Sequence, residues 1–393
     1  MKVAVIHNLR HRSGDLRELF LLRAIRVFDR FVPVQLVLVS GELTVGNGAA
    51  EPDFLETLRA SEKRFERKVP VLYLARPASV ELPELPAEIE TDRGRETPAA
   101  LLERIRNAAG ELPGFGEPPF NALVAELAAD GSVPVECCPM VEPKVPGLID
   151  FHVHTRVAYC SENMDVRKAL EMARLSNLEA LSFSEHSGQL YFSPELYWPG
   201  RGVWRDRVES GIPSRVPLLV GAWREGEGHG RFLRGFEIDV DGNGDALLED
   251  SDRRLAQVRL GAVHHLSRKD DREAVKREFL FRTESLLRYG VQILAHPFRV
   301  FPFGLRQPVP EELFEPVAEL LKRYGVAAEI NFHHNNPEPE FFSLCVKKGV
   351  KLSFGSDSHN LYEVGFFLPH FRFLRELGVA GRLDEVLYRF PQS

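Results

Sequence analysis

The chain has 393 residues, of which 44% are hydrophobic and 27% charged, and a formal net charge of −7. This length exceeds the size at which one hydrophobic core usually keeps growing, so the sequence predicts two domains. The negative charge gives no general attraction to nucleic acid or to an anionic membrane, and no stretch approaches the roughly 18 consecutive apolar residues of a membrane span.

The N-terminus and the cysteines bear on where the protein works. The opening residues, MKVAVIHNLRHRSGDL, predict a strand and not a signal peptide, because the apolar run is short and no small-residue cleavage site follows. The four cysteines (Cys137, Cys138, Cys160 and Cys345) have neither a CxxC pattern nor the density of a disulfide scaffold. We therefore expect a cytoplasmic protein with no membrane or nucleic-acid partner, while the sequence leaves protein partners and oligomeric state open.

Residues 1–132 alternate between strand and helix patterns. Strands are predicted at Lys2–His7, Val34–Val39 and Val69–Leu74, and helices at Asp15–Phe31, Pro52–Lys68, Pro98–Ala109 and Pro119–Ala129. This alternation predicts a small Rossmann-like α/β accessory domain with an open parallel sheet. No motif in it indicates a role.

Residues 133–147 contain four prolines, Pro134, Pro139, Pro143 and Pro146. Such a density of proline is typical of a stiff extended linker, so the domain boundary is predicted here.

Residues 148–393 repeat a β-then-α pattern about seven times. The predicted strands are Leu148–Val153, Ala180–Phe183, Phe232–Ile238, Arg259–Val263, Val291–Ala295, Ala327–Asn331 and Lys351–Phe354, and the predicted helices include Val166–Leu175, Glu273–Tyr289, Glu311–Tyr324 and Pro339–Lys348. Repeats of this kind predict a parallel barrel with its functional residues at the C-terminal ends of the strands. Seven units in place of eight predict a distorted (β/α)7 TIM-like barrel.

Six of the seven strand ends carry side chains that can bind a metal. They are His152 and His154; Glu185 and His186; Glu237; His264 and His265; His296; and Asp357 and His359. Each alone has an ordinary explanation, such as a capping aspartate or a core histidine. The two histidines of the first strand lie at i and i+2, so both point to one face of the strand and can reach one ion.

The ordered series HxH, EH, GFE, VH, AHP and DxH resembles the PHP (polymerase and histidinol phosphatase) family of metal-dependent phosphoesterases over about residues 148–360. The resemblance implies two or three divalent metal ions, Zn, Mn or Fe, with Glu237 bridging two of them. The metal ligands that it implies are His152, His154, His186, Glu237, His264, His296, Asp357 and His359. His265 is expected to pack or to line the pocket.

Two positions depart from the family pattern. Cys160 stands where members with a third ion commonly have a histidine; its thiolate could bind zinc, or the residue could be a small buried side chain. Glu185 stands where the family usually has aspartate. The third ion, and with it His186 and His359 as ligands, therefore depends on Cys160.

The resemblance implies a phosphatase that hydrolyses a small phosphomonoester with a metal-bound hydroxide, and histidinol phosphate is the leading candidate substrate. Glu237, Asp357 and His359 are the expected catalytic residues. Arg299, Arg156 and His333 are candidates for binding the substrate, because an arginine can donate two hydrogen bonds to phosphate. Two alternatives stay open: a phosphodiesterase or exonuclease acting on nucleic acid or nucleotides, and a non-catalytic sensor of metal or nucleotide.

Overall fold

The computed structural model describes residues 1–11, 16, 18–43, 69–74, 85–113, 115, 120–211, 213–267 and 271–391. The chain divides into two compact units, Met1–Pro143 and Lys144–Ser393, so the division falls inside the predicted linker. The helix predicted at Pro52–Lys68 lies outside the described residues.

The N-terminal unit contains a five-stranded mixed sheet in the order β3-β2-β1-β6-β7. Its strands are β1 (Lys2–His11), β2 (Leu36–Leu43), β3 (Val71–Tyr73), β6 (Asn121–Glu126) and β7 (Val135–Pro139), and β4 (Ile89–Thr91) pairs separately with β5 (Gly94–Glu96). Helix α1 (Glu18–Arg26) continues into a π-helical turn at Val27–Phe31, and α2 is Pro98–Ala109. Strands β1, β2 and β3 are parallel, as predicted, whereas β6 and β7 are antiparallel to their neighbours.

Two predictions for this unit were wrong. The segment Pro119–Ala129, predicted as a helix, contains β6, because its run Ala122–Ala125 is buried between β1 and β7 and the pairing overrides the helix propensity of its alanines and leucine. The predicted linker contains β7. Its prolines are tolerated because β7 is an edge strand, where a missing N–H costs no ladder bond.

The C-terminal unit is a parallel barrel of seven strands in the order β14-β13-β12-β11-β10-β9-β8. The strands are β8 (Ile149–Val153), β9 (Ala180–His186), β10 (Phe232–Ile238), β11 (Val258–Gly261), β12 (Ile293–Leu294), β13 (Ala327–Ile330) and β14 (Leu352–Phe354). The predicted (β/α)7 TIM-like barrel is confirmed, with each strand shifted by no more than a few residues.

The first and last strands meet at the C-terminal end of the barrel. Val153 and Ser358 form a parallel bridge. The amide of Asp357 donates to the carbonyl of His152 at 2.7 Å, and the amide of His154 donates to the carbonyl of Ser358 at 3.0 Å. The barrel is thus nearly closed at the end that carries the predicted site.

Among the described residues, the helices of this unit include the four that were predicted, the third of which begins at Phe314 after a 3-10 turn, and seven that were not predicted. They are α3 (Val166–Leu175), α4 (Ser187–Tyr191), α5 (Pro194–Tyr197), α6 (Trp204–Ser210), α7 (Val216–Gly226), α8 (Asp250–Arg253), α9 (Arg272–Tyr289), α10 (Phe314–Tyr324), α11 (Pro339–Lys348), α12 (Leu368–Glu376) and α13 (Leu383–Val386). Asp165 caps α3 by accepting a hydrogen bond from the amide of Lys168. None of the helices in the described ranges has the length and hydropathy needed to cross a membrane.

Candidate metal centre

Eight predicted ligands converge at the C-terminal mouth of the barrel, and all but half-buried His264 are buried. His152, His186 and Glu237 lie within β8, β9 and β10, and the others follow the ends of their strands. The group consists of His152, His154, His186, Glu237, His264, His296, Asp357 and His359. A parallel barrel directs all its strand ends to one mouth, which is why residues up to 200 positions apart meet there.

Glu237 lies at the middle of this group. Its Oε1 atom is 2.6 Å from Nε2 of His296 and 3.2 Å from Nε2 of His264. Its Oε2 atom is 2.5 Å from Nδ1 of His186 and 3.4 Å from Nε2 of His152. Each carboxylate oxygen therefore lies near a different pair of imidazole nitrogens, as a carboxylate that bridges two ions would.

Several of these atoms are buried without a hydrogen bond. Nε2 of His152, Nδ1 of His186 and Oε2 of Glu237 have no hydrogen-bond partner, and the close approach of His186 to Glu237 lacks hydrogen-bond geometry. Buried polar atoms are normally paired, so atoms that converge without pairing fit ligands of a metal. Within the described residues, four triplets place their ligand atoms within 4.8 Å of one another: His154, His186 and His359; His152, His296 and Asp357; His152, His154 and Glu237; and His186, Glu237 and His264.

Asp357 forms the second carboxylate of the group. Its Oδ1 atom lies 3.0 Å from Nε2 of His154 and 3.5 Å from Nε2 of His152. The backbone of Asp357 has a φ of 55°, and that of His296 has a φ of 30°. Non-glycine residues rarely adopt such angles, and they cluster at functional sites where the surrounding structure imposes them.

Carboxylates behind two histidines orient their rings. Oε1 of Glu185 is 3.1 Å from Nδ1 of His154, and Oδ1 of Asp239 is 2.5 Å from Nδ1 of His264. A carboxylate only accepts, so each Nδ1 donates to its carboxylate, and each Nε2 would be the atom that binds an ion. Glu185, which departs from the family pattern, thus supports a ligand here.

Glu329 orients the ring of His152 in the same way, and it was not predicted from the sequence. Its Oε1 atom accepts from Nδ1 of His152 at 2.9 Å, and its Oε2 atom accepts from the amide of His296 at 2.7 Å. A Cβ at Gly355 would lie only 1.8 Å from Oε1 of Glu329, so Gly355 is required for Glu329 to lie there. The one strand for which no metal ligand was predicted, β13, therefore contributes a buried acid.

The electrostatics of the group keep its carboxylates charged. Burial opposes ionisation of Glu237, but His264, His186 and His152 hold its pKa well below the usual range. Burial likewise opposes the charged form of His264, yet Asp239 and Glu237 raise its pKa to about 10. A buried cluster with several ionised carboxylates requires compensating positive charge, which is what divalent cations provide.

Cys160 lies beside this group. Its Sγ atom is 3.6 Å from Nε2 of His186, which in turn is 3.4 Å from Nε2 of His359. Gln189 donates to the Cys160 sulfur at 3.4 Å, and burial raises the pKa of the thiol to about 12. In the part of the chain that the structure describes, Cys160 belongs to none of the four triplets.

The structure separates the two candidate arginines. The guanidinium of Arg299 is buried; Nη1 donates to Asp357 and Nη2 is 2.7 Å from Nε2 of His296. Arg156 is half-exposed and instead pairs with Glu225 on α7, with a contact of 2.6 Å between Nη1 and Oε2. Only Arg299 joins the group, because the chain turns outward after His154 and the partner of Arg156 comes from a helix some 70 residues later.

The two remaining histidines border the group. His333 stacks on His359 with ring centroids 4.8 Å apart at an interplanar angle of 26°. His265 meets Tyr197 edge to face at 5.6 Å, in agreement with the expected packing role.

The chain is similar to a curated protein and to solved structures, whereas no family model matches it. It is 28% identical over 247 residues, covering 60% of this chain and 89% of the relative, to a protein of Acetivibrio thermocellus named "Probable phosphatase". Two solved structures are also similar to part of the chain.

One is a two-domain protein from Bacteroides vulgatus described as containing a "predicted PHP-like metal-dependent phosphoesterase" (17% identity, TM-score 0.32); the match covers 56% of this chain and about half, 55%, of that one. The other is a "putative metal-dependent phosphoesterase" from Bifidobacterium adolescentis (11% identity, TM-score 0.28), with 56% of this chain and 90% of that one covered.

The barrel, its convergent strand-end side chains and the curated relative, which is itself named a probable phosphatase, agree with the predicted PHP-type metal-dependent hydrolase.

Proposed function

We propose that residues 144–393 form a phosphatase that hydrolyses a small phosphomonoester. The observation that carries the proposal is Glu237, each of whose two carboxylate oxygens lies near two histidine nitrogens. This arrangement matches a site for two adjacent divalent ions. Histidinol phosphate is the first substrate to test.

The residues that would hold two ions are His152, His154, His264, His296 and Asp357 around Glu237. A third ion would be held by His186 and His359, with Cys160 as a candidate further ligand because its Sγ atom lies 3.6 Å from Nε2 of His186. The imidazole and carboxylate ligands suit Zn, Mn or Fe equally. Bound ions supply Lewis acidity toward the phosphoryl oxygens and lower the pKa of water.

The chain's own residues bind and orient the ester. Arg299 is held at the group by Asp357, so its guanidinium is positioned to donate two hydrogen bonds to phosphate oxygens. His333, stacked on His359, lies where it would contact the substrate. The burial of the whole group excludes bulk water and strengthens each of these interactions.

Metal content and phosphate release test this proposal together. Purified wild type, Cys160→Ala and Arg299→Ala would be compared by elemental analysis and by release of phosphate from monoesters that include histidinol phosphate, with labelled oligonucleotides as a separate substrate. Arg156→Ala is the matched control, because Arg156 pairs with Glu225 away from the group.

We expect hydrolysis of monoesters, a large loss in Arg299→Ala and none in Arg156→Ala. Three ions falling to two in Cys160→Ala would make Cys160 a ligand, and two ions in both would confine the site to the pair around Glu237. Cleavage of oligonucleotides alone would favour an exonuclease. Bound metal without any turnover would favour the sensor.

A further inference from the structure

A stack of three rings lies at the mouth of the barrel, and we call it the rim stack: Phe303, His334 and His333. Phe303 belongs to the π-helical turn Val300–Leu305, which follows β12 and begins directly after Arg299. Its side chain is 46% exposed, and its ring lies 4.4 Å from that of His334 at an interplanar angle of only 11°. His334 follows β13, so two neighbouring loops supply the pair.

The rim stack continues inward to the metal centre. The rings of His334 and His333 meet edge to face, with centroids 3.9 Å apart at an interplanar angle of 63°. His333 in turn stacks on His359 at 4.8 Å. Exposure falls along this path, because Phe303 and His334 are exposed whereas the side chain of His333 is only 4% exposed. The rings therefore form a continuous aromatic surface from solvent to a residue of the metal centre.

This surface has the chemistry that recognises a planar ring. Aromatic faces bind flat π systems by stacking, and this binding tolerates different rings because each offers a face. The guanidinium carbon of Arg306 lies 5.6 Å from the centroid of the Phe303 ring, so a cation is close to the same surface. Arg299, which contacts Asp357 and His296 in the metal centre, lies four residues before Phe303, so one short segment of chain connects the metal centre with the rim stack.

An exposed phenylalanine alone would carry no such inference, since single exposed apolar residues are common. Phe281 provides the comparison within the chain. It is equally exposed, at 47%, but it lies on α9 and approaches Gly244, not the metal centre. What sets Phe303 apart is its parallel contact with His334 and the continuity of the stack to His359.

We propose that the rim stack binds a planar ring in the alcohol part of the substrate, so that the enzyme selects phosphate esters of aromatic or heteroaromatic alcohols over aliphatic ones. This inference rests on the proposed phosphatase function. It makes Phe303 a specificity-determining residue and assigns it no part in the chemical step.

The test compares Phe303→Ala, Phe303→Trp and the control Phe281→Ala on three esters: adenosine 5′-monophosphate, histidinol phosphate and glycerol phosphate. We expect Phe303→Ala to raise KM for a ring ester by roughly tenfold relative to glycerol phosphate, with little change in kcat. Phe303→Trp should retain the preference, and Phe281→Ala should leave all three esters unaffected. The ring ester that shows the larger effect identifies the kind of ring.

The inference would be overturned if Phe303→Ala raised KM equally for ring and aliphatic esters. It would also be overturned if Phe281→Ala raised KM selectively for ring esters. Binding of the phosphate-free ring compound adenosine, measured by saturation-transfer NMR on wild type and Phe303→Ala, separates this outcome from failure of the proposed function. If no ester is hydrolysed, the phosphatase proposal fails. The ring site would still be supported if adenosine binds the wild type and its binding is lost in Phe303→Ala. The ring site would be rejected if adenosine does not bind and the enzyme shows no preference for ring esters.

Discussion

Both units consist of β-strands with helices beside them, but the ends of their strands are arranged differently. In the N-terminal sheet, β6 runs antiparallel to both of its neighbours, β1 and β7, so its C-terminal end lies at the opposite edge from theirs. In the barrel all seven strands are parallel, and their C-terminal ends meet at one mouth. Closure of the sheet, more than the kind of strand, is what brings distant polar residues together.

The difference also appears in what each unit buries. The core around β1 and β2 consists of aliphatic side chains such as Val5, Leu38 and Leu123. The barrel buries Glu185, Glu237, Glu329 and Asp357 in addition to its apolar core. Buried carboxylates are costly unless they are paired, so the barrel carries an electrostatic demand that only its partners and bound cations can meet.

The largest effect should come from Glu237→Gln, which keeps the shape of the side chain and removes the charge shared by the two sides of the centre. We expect loss of bound metal and a fall in phosphate release greater than the roughly 10–100-fold typical of a residue that only supports a ligand. Elemental analysis and a phosphate assay would measure both. Full metal content in this variant would contradict the bridging role, and circular dichroism would verify that the variant is folded.

Acid should affect the barrel through His370, which lies on α12 and donates from Nε2 to the carbonyl of Gly355 at 3.1 Å. Burial lowers the pKa of His370 from 6.5 to about 3, so the folded state keeps it neutral while the unfolded chain binds a proton. The free energy of unfolding should therefore fall as pH decreases from 6.5 towards 3, by at most about 1.4 kcal/mol per pH unit.

Urea denaturation across this pH range would test the role of His370. The quantity to compare is the pH dependence of the free energy of unfolding in wild type and in His370→Leu. The free energy of unfolding should depend less on pH in His370→Leu than in wild type. The control His229→Leu, at an exposed position, should have the same pH dependence as wild type. Identical slopes for wild type and His370→Leu would count against the assignment.

Gly355→Ala should destabilise the barrel by about 1–3 kcal/mol, because its Cβ would overlap Glu329 and lie 2.8 Å from Cβ of His152. Gly221→Ala is the matched control. Gly221 lies in α7 with no atom within 4 Å of the added Cβ, so the change should be neutral or stabilising by up to about 1 kcal/mol. Chemical denaturation of both variants would measure the contrast, and equal stabilities would show that Glu329 can move away.

The smallest effects should come from helix caps, which occur in both units. Thr97 accepts from the amide of Ala100 at 3.2 Å in α2, and Asp165 accepts from that of Lys168 at 2.9 Å in α3. Thr97→Ala and Asp165→Ala should each cost about 1 kcal/mol. Hydrogen exchange should show each loss of protection in the helix that lost its cap. A loss confined to the other helix would be inconsistent with capping.

The barrel and most of its site could be predicted from sequence because their signals are local. Apolar runs marked the seven strands, and the strand-end motifs needed only the rule that parallel strands end at one mouth. Glu329 was not predicted as a site residue because no motif of fixed spacing marks an acidic residue inside this strand. Its partners, His152 and His296, are remote from it in sequence. Arg156 and Arg299 looked equivalent because the ion pair with Glu225 is also long-range.

The failures in the N-terminal unit have a related cause. The segment Asn121–Glu126 has the composition of a helix, and only its pairing with β1, over 100 residues earlier, makes it a strand. The strand Val135–Pro139 depends in turn on that pairing. Contacts between separate segments therefore determine that both β6 and β7 are strands, and the composition of a segment does not predict such contacts.

The meeting of β8 with the segment after β14 has a consequence for how the protein is made. His154 and Ser358 are joined by a backbone hydrogen bond, and the ligands His152 and Asp357 come from the two ends of the barrel sequence. A ribosome that has synthesised β8 must add some 200 further residues before it reaches Asp357 and His359. The nascent chain therefore holds an incomplete set of ligands while β9 to β14 are made, and capture of the full set of ions must follow the synthesis of His359.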